Sequence, residues 1–350
     1  MAAEEDTGSM TDHVASAARV EEHVGVTAET FATRIAPVYR PAVLRGLARD
    51  WPAVRAAGKG PAATASYLRR FAGGRPLHMF AAAPAAEGRF FYDEDVRGFN
   101  FRSAQVLLPV LLDALLAEAD RADPAAIYAG SAKTSEAYPG WAEENELPLP
   151  LPGASPRLWL GNATRASTHY DMSDNLAVVV AGQRRFSLFP PEQVANLYVG
   201  PLEHTIAGQP TSMVDLERPD LGRYPRFAEA AQTMLVAELE PGDALFIPSL
   251  WWHDVRAMGP LNVLVNYWWG QRSGGSPFAA LLHAMLAIRD LPQGQRAALQ
   301  SWFHHYVFAD AAIMAGDHLP PDARGVLGPA SSQREERIRQ FLRRALDQEG

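Results

Sequence analysis

A chain of 350 residues is long enough to bury a sizeable core, in one large domain or two smaller ones. The absence of cysteine excludes disulfides, thiolate metal ligands and cysteine nucleophiles, so any metal site falls to His, Asp and Glu. A net charge of -8 gives no overall attraction to nucleic acid or anionic membrane, and a hydrophobic content of 47% is ordinary for a globular protein.

Residues 1–20 are expected to form a flexible tail. The opening MAAEEDTGSMTDHV is acidic and lacks an apolar leader core, which points to a cytoplasmic location, and no run is long enough to span a bilayer. A main domain is expected over 21–275. Thr27 caps a first helix with Thr30, Phe31 and Ile35 on one face. PAVLRG reads as a strand ending at Gly46, 64–72 as a helix, RPLHMFAA as a strand, and 103–119 as an apolar amphipathic segment. DPAAIYAGS holds a strand around Tyr128. The Pro-, Glu- and Gly-rich stretch 132–156 reads as a loop, of a length suited to a lid or cleft wall.

From Arg157 to Gly270 short β-rich runs alternate with turns: RLWLGN, DNLAVVVAG, QRRFSLFP, MLVAELEPGDALFIP and LNVLVNYWWG. Their length and spacing predict an all-β sandwich or barrel, with the PGD turn as a hairpin and 201–233 as a polar excursion. Beyond Gly275 the pattern turns helical, over 276–350. SPFAALLHAMLAIRD sets Phe278, Leu281, Leu282 and Met285 on one face, and the final REERIRQFLRRAL does the same with Ile338, Phe341, Leu342 and Ala345.

THYDMSDN sets a polar trio, His169, Asp171 and Asn175, inside an apolar run. The three share parity, so an unbroken strand would aim them to one side, together with Ala177 and Val179. Leu176, Val178 and Val180 would face a covering layer. A third ligand is offered by His253, in the apolar stretch ALFIPSLWWHDV. If a late strand returns beside the first, two His and one Asp form a facial triad with three open positions, as in non-haem Fe(II) oxygenases. A bidentate 2-oxo acid such as 2-oxoglutarate would fill two of them, and its far carboxylate would need a buried cation. GQRRF offers Arg184 or Arg185, which parity across Gly182 does not separate. In LNVLVNYWWG, Asn262, Leu264, Asn266 and Trp268 face one way, and Val263, Val265 and Tyr267 the other.

Taken together, GNAT, HYD, Asn175, GQRRFSLFPP, DLERPDLGRYPRF, PGDALFIPSLWWH and VNYWWG resemble, in order, the JmjC/cupin-like 2-oxoglutarate oxygenases. The particular likeness is to the subgroup of the asparaginyl hydroxylase of hypoxia-inducible factor. The resemblance implies a mainly β fold: a double-stranded β-helix, or jelly-roll, barrel with its core at about 124–270, flanked by N-terminal α/β elements and C-terminal helices. It implies Fe(II) and 2-oxoglutarate as cofactors, with His169, Asp171 and His253 as the metal ligands and catalytic centre. Arg184 and Tyr128 then meet the far carboxylate, Asn175 and Asn266 lie near the chelating end, and Trp252 and Trp268 flank the pocket. Thr168 or Thr164 takes the hydroxyl position. The expected reaction is hydroxylation of a protein side chain or small molecule with release of succinate and CO2. Relatives dimerise through C-terminal helices, so a homodimer is expected, and nucleic acid is not expected as a partner. Two rivals are a catalytically silent cupin used for binding and a metal-dependent isomerase or hydrolase on the same barrel.

Overall fold

Strand pairing in this protein is organised by two long strands that run side by side for their whole length. The computed structural model describes residues 17–270 and 275–348. The expected tail therefore lies outside the described residues as far as residue 16, His13 included. The strands are β1 (Ala18–Arg19), β2 (Glu21–Val24), β3 (Ala42–Arg45), β4 (Leu77–Ala82), β5 (Arg89–Phe90), β6 (Phe101–Val106), β7 (Ala126–Lys133), β8 (Ser155–Gly161), β9 (Arg165–His169), β10 (Asp174–Phe189), β11 (Leu235–Leu239), β12 (Ala244–Ile247) and β13 (Trp252–Trp269).

β10 and β13 are antiparallel partners from Asp174↔Trp269 to Phe189↔Trp252. Around Gly182, at φ 75°, the register slips twice. A Cβ there would lie 2.2 Å from Asn262 Oδ1, so only glycine permits this close approach. The irregularity divides each long strand into two sections with different outer neighbours. The first section of β10 pairs with β12 and the second with β11, while β13 pairs with β8 and then β9.

The expected closed barrel is not formed. The hydrogen-bonded path runs β2-β3-β12-β10-β13-β8-β7-β4-β6 and ends at two unpaired edges, so the sheet is open. Three pairs are parallel, namely β1 with β11, β2 with β3, and β5 with β9, which makes the sheet mixed. The two end strands, EEHV in β2 and FRSAQV in β6, are mostly exposed and carry charged or polar side chains. Such edges are tolerated in water and discourage further pairing. With its helices the architecture is mixed α/β, not mainly β.

Period-two alternation decides which face is packed. Leu176, Val178 and Val180 of β10 and Val263, Val265 and Tyr267 of β13 enter one apolar cluster, with Ala53, Leu68, Leu111, Leu112 and Leu115 from the helices Pro52–Ala57, Pro61–Arg69 and Leu108–Ala119. The opposite parity sends Ala177, Val179 and Leu264 into a second cluster with Phe186, Leu188 and Leu245. The first helix is capped as expected, Thr27 Oγ1 accepting from the Thr30 N–H at 3.1 Å. The segment 103–119 splits into β6 and the helix Leu108–Ala119. The supposed loop 132–156 instead continues β7 to Lys133 and adds the short helices Thr134–Ala137 and Trp141–Glu144, with Trp141 fully buried.

The chain divides into two compact units, residues 1–271 and 272–350. The second is helical: Pro277–Ile288, Gln293–Phe303 and Ser332–Gln348. Ser276 caps the first of these helices by accepting from the Ala279 N–H at 3.2 Å, and Pro277 stands at the first position. Leu286, Phe308 and Ile313 of this unit are 74%, 72% and 84% exposed, an unusual placement for large apolar side chains. Among the described residues no helix is long and apolar enough to cross a membrane.

Candidate functional site

Between β4, β7, β8, β9, β10 and β13 lies a cavity of about 640 Å³, lined by residues that include Tyr128, His169, Asp171, Asn175, Arg184, His253, Asn266 and Trp268. The chain through His169 and Asn175 is not one unbroken strand: it is interrupted at 170–173, between β9 and β10. The trio nevertheless converges on the cavity. His253 of β13 sits directly opposite His169 of β9, and their ring centroids are 4.3 Å apart. The site residues are therefore brought together from distant parts of the chain.

Each imidazole is oriented from behind. His169 Nδ1 lies 2.9 Å from the Ser167 carbonyl, and His253 Nδ1 lies 3.0 Å from the Trp251 carbonyl. A carbonyl only accepts, so Nδ1 carries the proton and Nε2 presents its lone pair. Burial, reinforced by His169, pulls His253 down to about 3, so it is neutral. Burial pushes the Asp171 carboxyl up, opposed by His169. Asn175 Nδ2 donates to Asp171 Oδ2 at 3.4 Å, and Asn266 Nδ2 donates to Asn175 Oδ1 at 2.6 Å.

The cavity does not hold the expected metal centre. Among the described residues, no group of three or more His, Cys, Asp and Glu side chains is arranged to hold a metal ion. His253 Nε2 and Asp171 Oδ2 stand 3.8 Å apart. Two adjacent donors at about 2.1 Å from one ion lie only about 3.0–3.4 Å from each other. Residues implied as Fe(II) ligands thus share a wall without forming a chelate. This overturns the expectation of an Fe(II)- and 2-oxoglutarate-dependent dioxygenase, and with it iron and 2-oxoglutarate as cofactors. The isomerase or hydrolase that also needs a bound metal falls for the same reason.

What the cavity does hold is an uncompensated cation. Arg184 is buried, its Nε has no hydrogen-bond partner, and among the described residues no carboxylate pairs with it. Burial drags the guanidinium down to about 10, opposed by Tyr128. Arg185 points the other way and binds Glu217 at 2.6 Å, so the fold separates the two arginines. Behind the wall Asp215 bridges Arg165 at 3.1 Å and Arg89 at 3.3 Å.

Thr168 is fully buried with its hydroxyl unpartnered and does not line the cavity, whereas Thr164 does. Trp252 packs its edge on Tyr170, centroids 4.8 Å apart, away from the cavity. Trp141 and Glu144, in the stretch expected as a lid or cleft wall, and Tyr224, in the polar excursion, have other duties. Trp141 is a core residue beside Trp51, Glu144 pairs with Arg70, and Tyr224 packs on Tyr198. Sequence reasoning missed Phe80 and Phe90 and left His78 undecided; all three line the cavity, from β4 and β5. The shared parity of His78 and Phe80 in RPLHMFAA was the available signal.

Residues 27–275 match the family described as a cupin-like domain. The chain belongs to that family. Tested against curated proteins, this cupin-like chain is 30% identical over 276 residues to tRNA wybutosine-synthesizing protein 5 of Danio rerio, covering 71% of this chain and 74% of that one. It is 38% identical over 117 residues to lysine-specific demethylase JMJ31 of Arabidopsis thaliana, a match covering 33% of this chain and 21% of that protein. A match of 35% over 118 residues joins it to HSPB1-associated protein 1 of Rattus norvegicus, covering 24% of that protein. These matches place the chain in the JmjC/cupin-like 2-oxoglutarate oxygenase superfamily by descent, and they do not support the narrower likeness to the hydroxylase of hypoxia-inducible factor.

Proposed function

We propose that this protein is a cupin-like binding protein whose pocket takes a small anionic molecule without turning it over. The observation that carries this is Arg184, a buried cation with an unpartnered N–H and no carboxylate partner among the described residues. Burying a charge in this way is costly unless an incoming anion completes it. Arg184 and Tyr128 would meet the anionic group, with Asn175 and Asn266 fixing its orientation and Trp268 packing against its carbon skeleton. His253 Nε2 and Asp171 Oδ2 would accept from a hydroxyl or amino group of the ligand, joined by His169. Their 3.8 Å separation suits one donor about 2.9 Å from each. Thr168 would act only by steadying β9.

The Danio rerio relative's name refers to tRNA wybutosine synthesis. With a net charge of -8 this chain has no general attraction for RNA, and a free small molecule is the ligand proposed. The exposed apolar side chains of the helical unit would pair two copies of the chain, burying Leu286, Phe308 and Ile313.

Calorimetric titration of the metal-free protein with small hydroxy and amino acids tests the proposal. Saturable binding that Arg184→Gln weakens at least tenfold is expected. Stoichiometric capture of Fe(II) or Mn(II) lost in H169A and H253A, or decarboxylation of 2-oxoglutarate by the iron-loaded protein, would overturn it.

A further inference from the structure

Three arginines line the cavity: Arg157, Arg165 and Arg184. Arg165 is matched by Asp215 at 3.1 Å. Arg157, like Arg184, has no carboxylate in ion-pair contact among the described residues, and its Nε is buried without a hydrogen-bond partner. The Glu136 carboxyl is held below its ordinary value first by Lys133, at 3.1 Å, and also by Arg75, at 2.7 Å, with Arg157 adding only a distant charge, so Glu136 is already engaged elsewhere.

Arg157 is also held in place. Its Nη1 donates to the Ser131 carbonyl at 2.9 Å and to Ser131 Oγ at 3.1 Å, both neutral acceptors. Those acceptors face it because β7 slips register between Ala129 and Ala132, where Ser131 takes φ 61°. A serine in the left-handed region is uncommon, so the surrounding structure enforces it. The guanidinium carbon stands 5.4 Å from the Trp268 ring centroid. Beside it Trp159 lies flat on Gly130, where a Cβ would come within 2.3 Å of the indole, and it stacks on Tyr128 at 5.7 Å. Trp159 Nε1 is a further buried donor without a partner.

We infer that Arg157, with Trp159, forms a second anion subsite in this cavity, so that the ligand carries two anionic groups, one on Arg184 and the other, a carboxylate or phosphate, on Arg157. Among the described residues lining the cavity, Arg157, Trp159, Arg165, Arg184 and Trp268 each leave a buried N–H without a partner, and the acceptors are Asn266 Oδ1 and the wall of His169, His253 and Asp171; the donors of Arg157 and Trp159 favour an acceptor-rich group on the ligand at that end as well as at Arg184. This inference rests on the proposed binding function and assigns the ligand's class within it.

The test measures affinity of the full chain for butyrate, glutarate, adipate and 3-phosphonopropionate, by calorimetry and by the fluorescence of the pocket tryptophans. The expected result is that the unmodified protein prefers a dianion over butyrate. Arg157→Gln should weaken the best dianion about 10- to 100-fold and leave butyrate within about twofold, and Arg157→Lys should recover part of the loss. Arg184→Gln should weaken all of them. Preference for the phosphonate over both dicarboxylates identifies the second group as a phosphate, and the reverse order identifies a carboxylate. Equal affinity for butyrate and dianions, or equal loss of both in a folded Arg157→Gln, overturns the second subsite and leaves the binding pocket standing. Failure of the unmodified protein to bind any of the anions overturns the pocket's proposed function, and the second subsite with it.

Discussion

Replacing Arg184 with methionine should make the ligand-free protein more stable while abolishing anion binding. Methionine keeps an unbranched apolar stem in the space of the arginine methylenes and removes the charge. Burial lowers the guanidinium to about 10, against an ordinary value of 12.5. At about 1.4 kcal/mol per pH unit, the difference is on the order of 3 kcal/mol of destabilisation at neutral pH. The charged form is the one disfavoured in the fold, so the penalty is fully present below about 10 and fades only as the pH rises through the folded value. Lost contacts offset part of the gain, leaving an expected net stabilisation of about 1–3 kcal/mol, or a melting temperature higher by about 3–8 °C. Urea denaturation at pH 7 and pH 10.5 measures it, and the advantage of Arg184→Met should shrink at the higher pH. A variant less stable than the parent by about 1 kcal/mol or more, or one that still binds the anions normally, would show that Arg184 is a packed structural cation.

Asp215 compensates both Arg89 and Arg165, so Asp215→Asn should cost about 2–3 kcal/mol in urea denaturation, and an unchanged midpoint would contradict that role. Gly130→Ala would push a methyl into Trp159, where it would stand 2.3 Å from the ring, so a loss of about 1–3 kcal/mol and a shifted tryptophan emission are expected. Introducing charge with Leu286→Glu and Phe308→Glu should convert a dimer to a monomer by light scattering, whereas a parent chain that is already monomeric refutes the pairing. Adding Mn(II) to about 1 mM should leave the melting temperature of EDTA-treated protein within about 1 °C, and a saturable rise would reveal a metal site.

Local rules carried much of the fold. Thr27 as a cap and the two faces of LAVVV and LNVLVNYWW follow from side-chain chemistry and a period of two, and the structure places them so. The same parity brought Asn266 and Trp268 to the cavity. Separation of Arg184 from Arg185 was not legible, because the register slips at Gly182 make parity meaningless across the turn. Shared parity puts His78 and Phe80 on one face of β4, but nothing in a lone strand says that this face will lie across a cavity from residues a hundred positions away.

Which side chains share a face along an unbroken stretch of strand is thus written in the sequence, since alternation is a property of the backbone between irregularities. Whether the sheet closes, and how far His253 stands from Asp171, is not. Closure depends on which edges find partners, and the 3.8 Å between those two donors depends on bulges and on the stagger between β9 and β13. A few tenths of an ångström separate a chelating pair from one that only accepts hydrogen bonds, and only the packed tertiary structure sets a distance that finely.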